Sequence, residues 1–69
     1  MELRDLRYFE TIAELQHLGR ASAKLHRTQP ALTGSIRRLE RECGAALFER
    51  AGRGIQLTEA GRVLLKWAQ

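Results

Sequence analysis

The sequence predicts a mostly α-helical fold of the winged helix-turn-helix class: a three-helix core, a two-stranded β-hairpin wing, then the start of a fourth helix. Three observations carry that prediction. Apolar residues return every three or four positions in four separate stretches, only about four residues join the second stretch to the third, and two glycines bracket Arg53 ahead of the fourth. With 69 residues, a single Pro and no Gly/Ser-rich linker or repeat, the chain reads as one domain over residues 1–57, with residues 58–69 beginning a linker or dimerisation helix.

In the first stretch Leu3, Leu6, Phe9 and Ile12 or Ala13 place one apolar stripe on a helix over Leu3–Leu15, flanked by Tyr8 and interrupted by Gln16-His17-Leu18-Gly19. A short second helix is expected over about Arg20–Leu25, with Gly19 at its N-cap. Leu18, Ala21, Ser22 and Leu25 share a face there, and the small Ala21 and Ser22 let another helix come close. After His26-Arg27-Thr28-Gln29, Thr28 or Gln29 caps the third helix. Pro30 falls in its first turn, where a missing N–H is harmless, and Gly44 ends it.

The third helix has the cleanest period in the chain. Leu32, Ile36, Leu39 and Cys43 define its inner side, so Cys43 is expected to be a buried, inert side chain. Pro30, Gly34, Arg37, Arg38 and Arg41 lie opposite, with Thr33 on the flank. Next, Leu47-Phe48-Glu49-Arg50 and the alternating Ile55-Gln56-Leu57 predict a hairpin whose glycines, Gly52 and Gly54, take left-handed backbone positions around Arg53. Thr58 and Glu59 then suit the N-terminus of a helix with Ala60, Val63, Leu64 and Trp67 as its stripe. That pattern ends at Gln69 with no Gly, Pro or capping residue to close it, which reads as a helix cut short.

The formal charge of +4 is unevenly spread. Residues 1–19 carry −2, residues 20–41 carry +5 and residues 42–69 carry +1, so the middle third holds more than the whole excess. Ten of the twelve basic residues are Arg, whose planar fork matches phosphates and guanine edges. A helix that is apolar behind and Arg-rich in front fits between a core and a polyanion, as in nucleic-acid recognition. Without a partner, the same pattern would be only a solvated basic face.

Other classes are excluded by what the sequence lacks. It has no Gly-rich phosphate loop, nucleophile elbow or paired-carboxylate motif, so no enzyme is expected. His17 and His26 stand nine apart with no Cys, Asp or Glu at ligand spacing, so neither metal nor cofactor is expected. No apolar run approaches the roughly 20 residues of a membrane span, and no secretory signal pattern is read at the N-terminus. One cysteine excludes an internal disulfide and fits a reducing cytoplasm.

An ordered set of short motifs then narrows the class. Leu6-Arg7-Tyr8-Phe9, Arg20-Ala21, Leu25-His26, Gln29-Pro30-Ala31-Leu32, Ile36-Arg37-Arg38-Leu39-Glu40, Leu47-Phe48-Glu49-Arg50 and Leu57-Thr58-Glu59-Ala60-Gly61 together resemble the N-terminal DNA-binding region of LysR-type transcriptional regulators. The resemblance covers nearly the whole chain. It implies a bacterial regulator that binds a double-stranded operator as a homodimer, or a tetramer at full length. It also implies a linker helix starting near Thr58 and, beyond it, a domain for a small-molecule effector. Gly34 and Ser35 depart from the family, which often has Arg at the first and Gln or Arg at the second, so operator preference should differ from relatives that keep them.

Site residues follow from both lines. The resemblance places Gln29, Pro30 and Thr33 at bases or phosphates and Arg53 in the minor groove. Gln29, Pro30, Thr33 and Arg37 are expected to face base edges, with Ala31 and Gly34 beside them on the same helix. Lys24, Arg27, Arg38 and Arg50 touch phosphates, and Thr28 combines a cap with a phosphate contact. Val63, Leu64 and Trp67 are assigned to dimerisation. The alternative is a winged-helix protein-interaction module whose basic helix binds an acidic partner.

Overall fold

A computed structural model describes residues 1–69. In chain order it comprises α1 (Leu3–Leu15), α2 (Leu18–Leu25), α3 (Gln29–Cys43), β1 (Phe48–Ala51), β2 (Gly54–Leu57) and α4 (Glu59–Ala68). The two strands pair antiparallel in a single hairpin, with Phe48 opposite Leu57 and Ala51 opposite Gly54. The expected winged helix-turn-helix is therefore the observed architecture.

The inner stripe of α3 is the centre of the molecule. Leu32 and Leu39 are fully buried and Ile36 nearly so, against Phe9 and Ile12 of α1, Ala21 of α2 and Leu47 beyond α3. The wing joins this core through Phe48, whose ring centroid lies 5.3 Å from that of Phe9. Ala60, Leu64 and Leu65 of α4 pack on the same cluster.

Three local expectations are corrected. First, α2 begins two residues early, and its N-cap is His17 rather than Gly19: the His17 Nδ1 accepts the Arg20 N–H at 3.0 Å. A Cβ at Gly19 would come within 3.0 Å of that imidazole, so glycine leaves room for the ring to fold back over the helix end. Second, only Gly52 of the two wing glycines has a positive φ (57°). Gly54 is instead a close-approach residue, since a Cβ there would lie 2.8 Å from the Gln16 carbonyl oxygen, which also accepts the Ile55 N–H at 3.4 Å. Third, Cys43 is exposed, because the stripe of α3 outruns the core after Leu39.

Thr28 caps α3 by accepting the Ala31 N–H at 3.2 Å, and Gly44 ends it with φ 71°. The loop that follows is pinned at Leu47. Its N–H donates to the Glu40 carboxylate at 2.8 Å, and its carbonyl accepts the Thr58 N–H at 3.0 Å. Thr58 itself accepts the Gly61 N–H at 3.0 Å and donates its hydroxyl to the Ala46 carbonyl at 2.6 Å. This clip joins the end of α3, the base of the wing and the start of α4.

Two helical glycines should respond oppositely to alanine. At Gly61 a Cβ would fall 2.2 Å from the Leu47 carbonyl oxygen, so Gly61→Ala must displace α4 or the clip and should cost about 1–3 kcal/mol. At Gly34 nothing lies within 4 Å of the same position, so Gly34→Ala should gain roughly 0.5–1 kcal/mol from helix propensity. Urea denaturation followed by circular dichroism measures both changes.

Candidate nucleic-acid interface

Two rows of side chains run along the outward side of α3. Thr33 and Arg37 line a shallow depression with Phe48 and Ile55 of the wing, and Gln29 lines a second one with Arg50, Arg53 and the His17–Gly19 segment. Pro30, Ala31, Gly34 and Arg38 line a third, on the side facing α1. Gln29, Thr33 and Arg37, spaced four apart, therefore form the wing-side row. Pro30, Gly34 and Arg38 form the α1-side row.

Most of the sequence-assigned residues meet on this surface. Gln29, Pro30, Ala31 and Arg37 are exposed, while Thr33 and Gly34 are half-buried between them. Arg50 projects from β1 and Arg53 stands at the wing tip, both exposed. Thr28 sits at the leading end of α3, exposed and committed to its cap. Lys24 stands apart: its amine lies 3.9 Å from the Glu14 carboxylate, and it lines none of the depressions flanking α3.

Arg27 and Arg38 were expected to be free for phosphates, but each is tethered on one edge. The Arg27 Nε donates to the Tyr8 hydroxyl at 2.9 Å. Arg38 donates from Nε (3.3 Å) and Nη2 (3.1 Å) to the two carboxylate oxygens of Asp5. Asp5 is almost fully buried and also accepts the hydroxyl of buried Ser35 at 2.5 Å. The Arg38 guanidinium holds the Asp5 carboxyl below its ordinary range despite desolvation, with the Ser35 hydroxyl assisting.

Sequence reasoning missed this triad. A signal for it existed, because Asp5 falls on the Phe9–Ile12 side of α1 and Ser35 between Leu32 and Leu39, so each is a polar residue on an apolar stripe. The dimerisation set is divided. Val63 and Trp67 are exposed, Trp67 at 83%, while Leu64 packs against the domain's own core. No helix is long and apolar enough to cross a membrane.

A wing flanking an Arg-bearing helix, itself backed by a three-helix core, defines a helix-turn-helix domain of the DNA-binding class. Comparison with known proteins gives its family. The family model described as bacterial regulatory helix-turn-helix protein, lysR family, matches residues 3–62, and the chain belongs to that family. It is 51% identical over 65 residues to the HTH-type transcriptional regulator TfdT of Cupriavidus pinatubonensis, covering 94% of this chain and 28% of TfdT. It is 46% identical over 69 residues to the HTH-type transcriptional regulator ClcR of Pseudomonas putida, covering all of this chain and 24% of ClcR. The chain thus spans about a quarter of the length of these curated relatives.

Among solved structures, CbnR, a LysR family transcriptional regulator, superposes with a TM-score of 0.94 at 43% identity, covering 99% of this chain and 24% of CbnR. The DNA-binding domain of CbnR in complex with DNA superposes with a TM-score of 0.92, covering 99% of this chain and 78% of that domain. These relatives are regulators, and the domain belongs with them rather than with enzymes.

The sign of the Asp5 contribution is fixed by its lowered pKa. The triad should stabilise the fold fully above the ordinary carboxylate range, near about pH 4, and its contribution should be lost as pH falls through the depressed folded value. Asp5→Asn should cost about 1–3 kcal/mol at pH 7, and the gap to wild type should narrow on acidification. Urea melts at pH 7, 4 and 2.5 test this; a gap that is constant with pH would contradict it.

Proposed function

We propose that the chain is the operator-reading domain of a bacterial transcriptional regulator, acting on duplex DNA in the cytoplasm. The observation that carries the reading is the two-row outward face of α3, basic and backed by a core that leaves it free. With α3 in the major groove, Gln29, Thr33 and Arg37 face base edges, beside Pro30, Ala31 and Gly34. Arg27, Arg38, Arg50 and Thr28 face phosphates on its flanks, and Lys24 contributes charge from α2. Arg53 at the wing tip suits a narrow minor groove. The crystallised complex of the CbnR DNA-binding domain with DNA supports this reading at 43% identity.

Exposed Val63 and Trp67 on α4 offer a patch for a second copy, and a dimer would read half-sites spaced by whole helical turns. Leu64, already packed inward, belongs to the fold more than to that patch. The curated relatives are about four times longer, so an effector domain beyond residue 69 belongs to the proposal for the full-length regulator.

If about six phosphates are neutralised, affinity for duplex DNA should fall with added salt along a log–log slope near about −5. Fluorescence anisotropy on a duplex selected from random sequence measures this, and salt-independent binding to an acidic protein, with none to duplex, would favour the protein-interaction alternative. Arg53→Ala should weaken binding most where A·T pairs lie under the wing. An unchanged ratio between A·T and G·C flanks would remove Arg53 from shape readout.

A further inference from the structure

The cleft on the α1 side of the recognition helix has a volume of about 360 Å³ and no carboxylate in its lining. Arg4 and Tyr8 of α1, Arg27 of the turn, and Pro30, Gly34 and Arg38 of α3 form its walls. Arg4 lines none of the wing-side depressions, and Tyr8 holds Arg27 through its hydroxyl. The cleft has depth because α3 carries no side chain at Gly34, where the space a Cβ would enter is empty to 4 Å.

The three guanidinium groups are held differently. Arg27 spends its Nε on the Tyr8 hydroxyl, leaving both Nη groups without a protein acceptor. Arg38 spends Nε and Nη2 on Asp5, leaving Nη1 without one, and its side chain remains 46% exposed. Arg4 has only a long 3.4 Å contact with the exposed Glu2. Two forks are therefore fixed in direction by a tyrosine and a buried carboxylate, and a third is loosely held beside them. Fixed guanidinium groups around a small open cup suit a tetrahedral, singly charged anion.

We propose that this cleft seats a backbone phosphate of the bound duplex, on the strand across the major groove from the wing. Arg4, Arg27 and Arg38 supply its charge, and Tyr8 and Asp5 act as positioning residues that aim two of the three forks. The proposal rests on the DNA-binding reading above and extends the interface onto α1. It gives α3 phosphate anchors on both sides: Arg50 flanks the row of Gln29, Thr33 and Arg37, and the cleft flanks the row of Pro30 and Gly34. Anchors on opposite sides fix the rotation of α3 about its axis and hence which row meets the bases.

The test uses Arg4→Ala, which removes an exposed side chain, and Tyr8→Phe, which keeps the ring and deletes only the hydroxyl. Anisotropy titrations would compare the selected duplex with a scrambled one across a salt series, with thermal melts confirming the fold. For Arg4→Ala the expected result is a 3- to 10-fold loss on both duplexes, a salt slope shallower by about 0.9, and an unchanged ratio between them. Tyr8→Phe should lose a smaller factor, again equally on both. An unchanged affinity and slope for Arg4→Ala would overturn the proposal, and so would a changed duplex ratio, which would make Arg4 a base reader. Should wild type show no preference between the duplexes, the base-reading assignment fails while the slope difference still decides the cleft. Should wild type bind neither duplex, both readings fall.

Discussion

Everything in this fold leans on the inner side of α3. A chain of 69 residues has few side chains to bury, and Leu32, Ile36 and Leu39 meet α1, α2 and the loop leading to the wing at once. Close packing there fixes the rotation of α3 about its own axis, because an apolar stripe can turn outward only by exposing large side chains to water. The opposite face is then directed outward without any interaction of its own. Recognition in this domain is the far side of a packing solution.

Polar contacts refine that orientation at two places. Near the N-terminus of α1, the Asp5–Ser35–Arg38 triad joins the first helix to the third by charge-assisted hydrogen bonds, and a buried carboxylate is tolerated only because both oxygens are satisfied. At the far end, Glu40 and Thr58 hold Leu47 from both sides, and Gly61 lets α4 approach the Leu47 carbonyl. Glu40 is the only acidic residue between positions 20 and 41. Its carboxylate is committed to the Leu47 N–H, at the edge of the depression that Thr33 and Arg37 line.

The legible and illegible parts of the site divide along physical lines. The limits of α1 were readable from its long stripe alone, and those of the third helix from its stripe and from caps of conventional type: Thr28 at the start of α3 and Gly44 at its end. The start of α2 was not, since His17 is a rare cap, here with its ring folded back beside Gly19. Cys43 followed the period of α3 perfectly, yet it is exposed, because periodicity records a direction around the helix and not where the neighbouring element stops. The same gap separates Leu64, which packs inward, from Val63 and Trp67, which do not.

By itself the sequence determined the order of elements, the side of α3 that faces the core, the concentration of charge in residues 20–41 and the family motifs that run the length of the chain. These are properties of spacing and composition, and spacing survives in one dimension. Only the tertiary structure decided which of those charges are free. Arg37 and Arg38 are neighbours in sequence and both basic, but one stands clear on the wing side and the other is held by a carboxylate 33 positions away. Hydrogen-bond partners distant in the chain cannot be read from local period, so the contrast between a free Arg37 and a tethered Arg38 exists only once α1 is packed against α3.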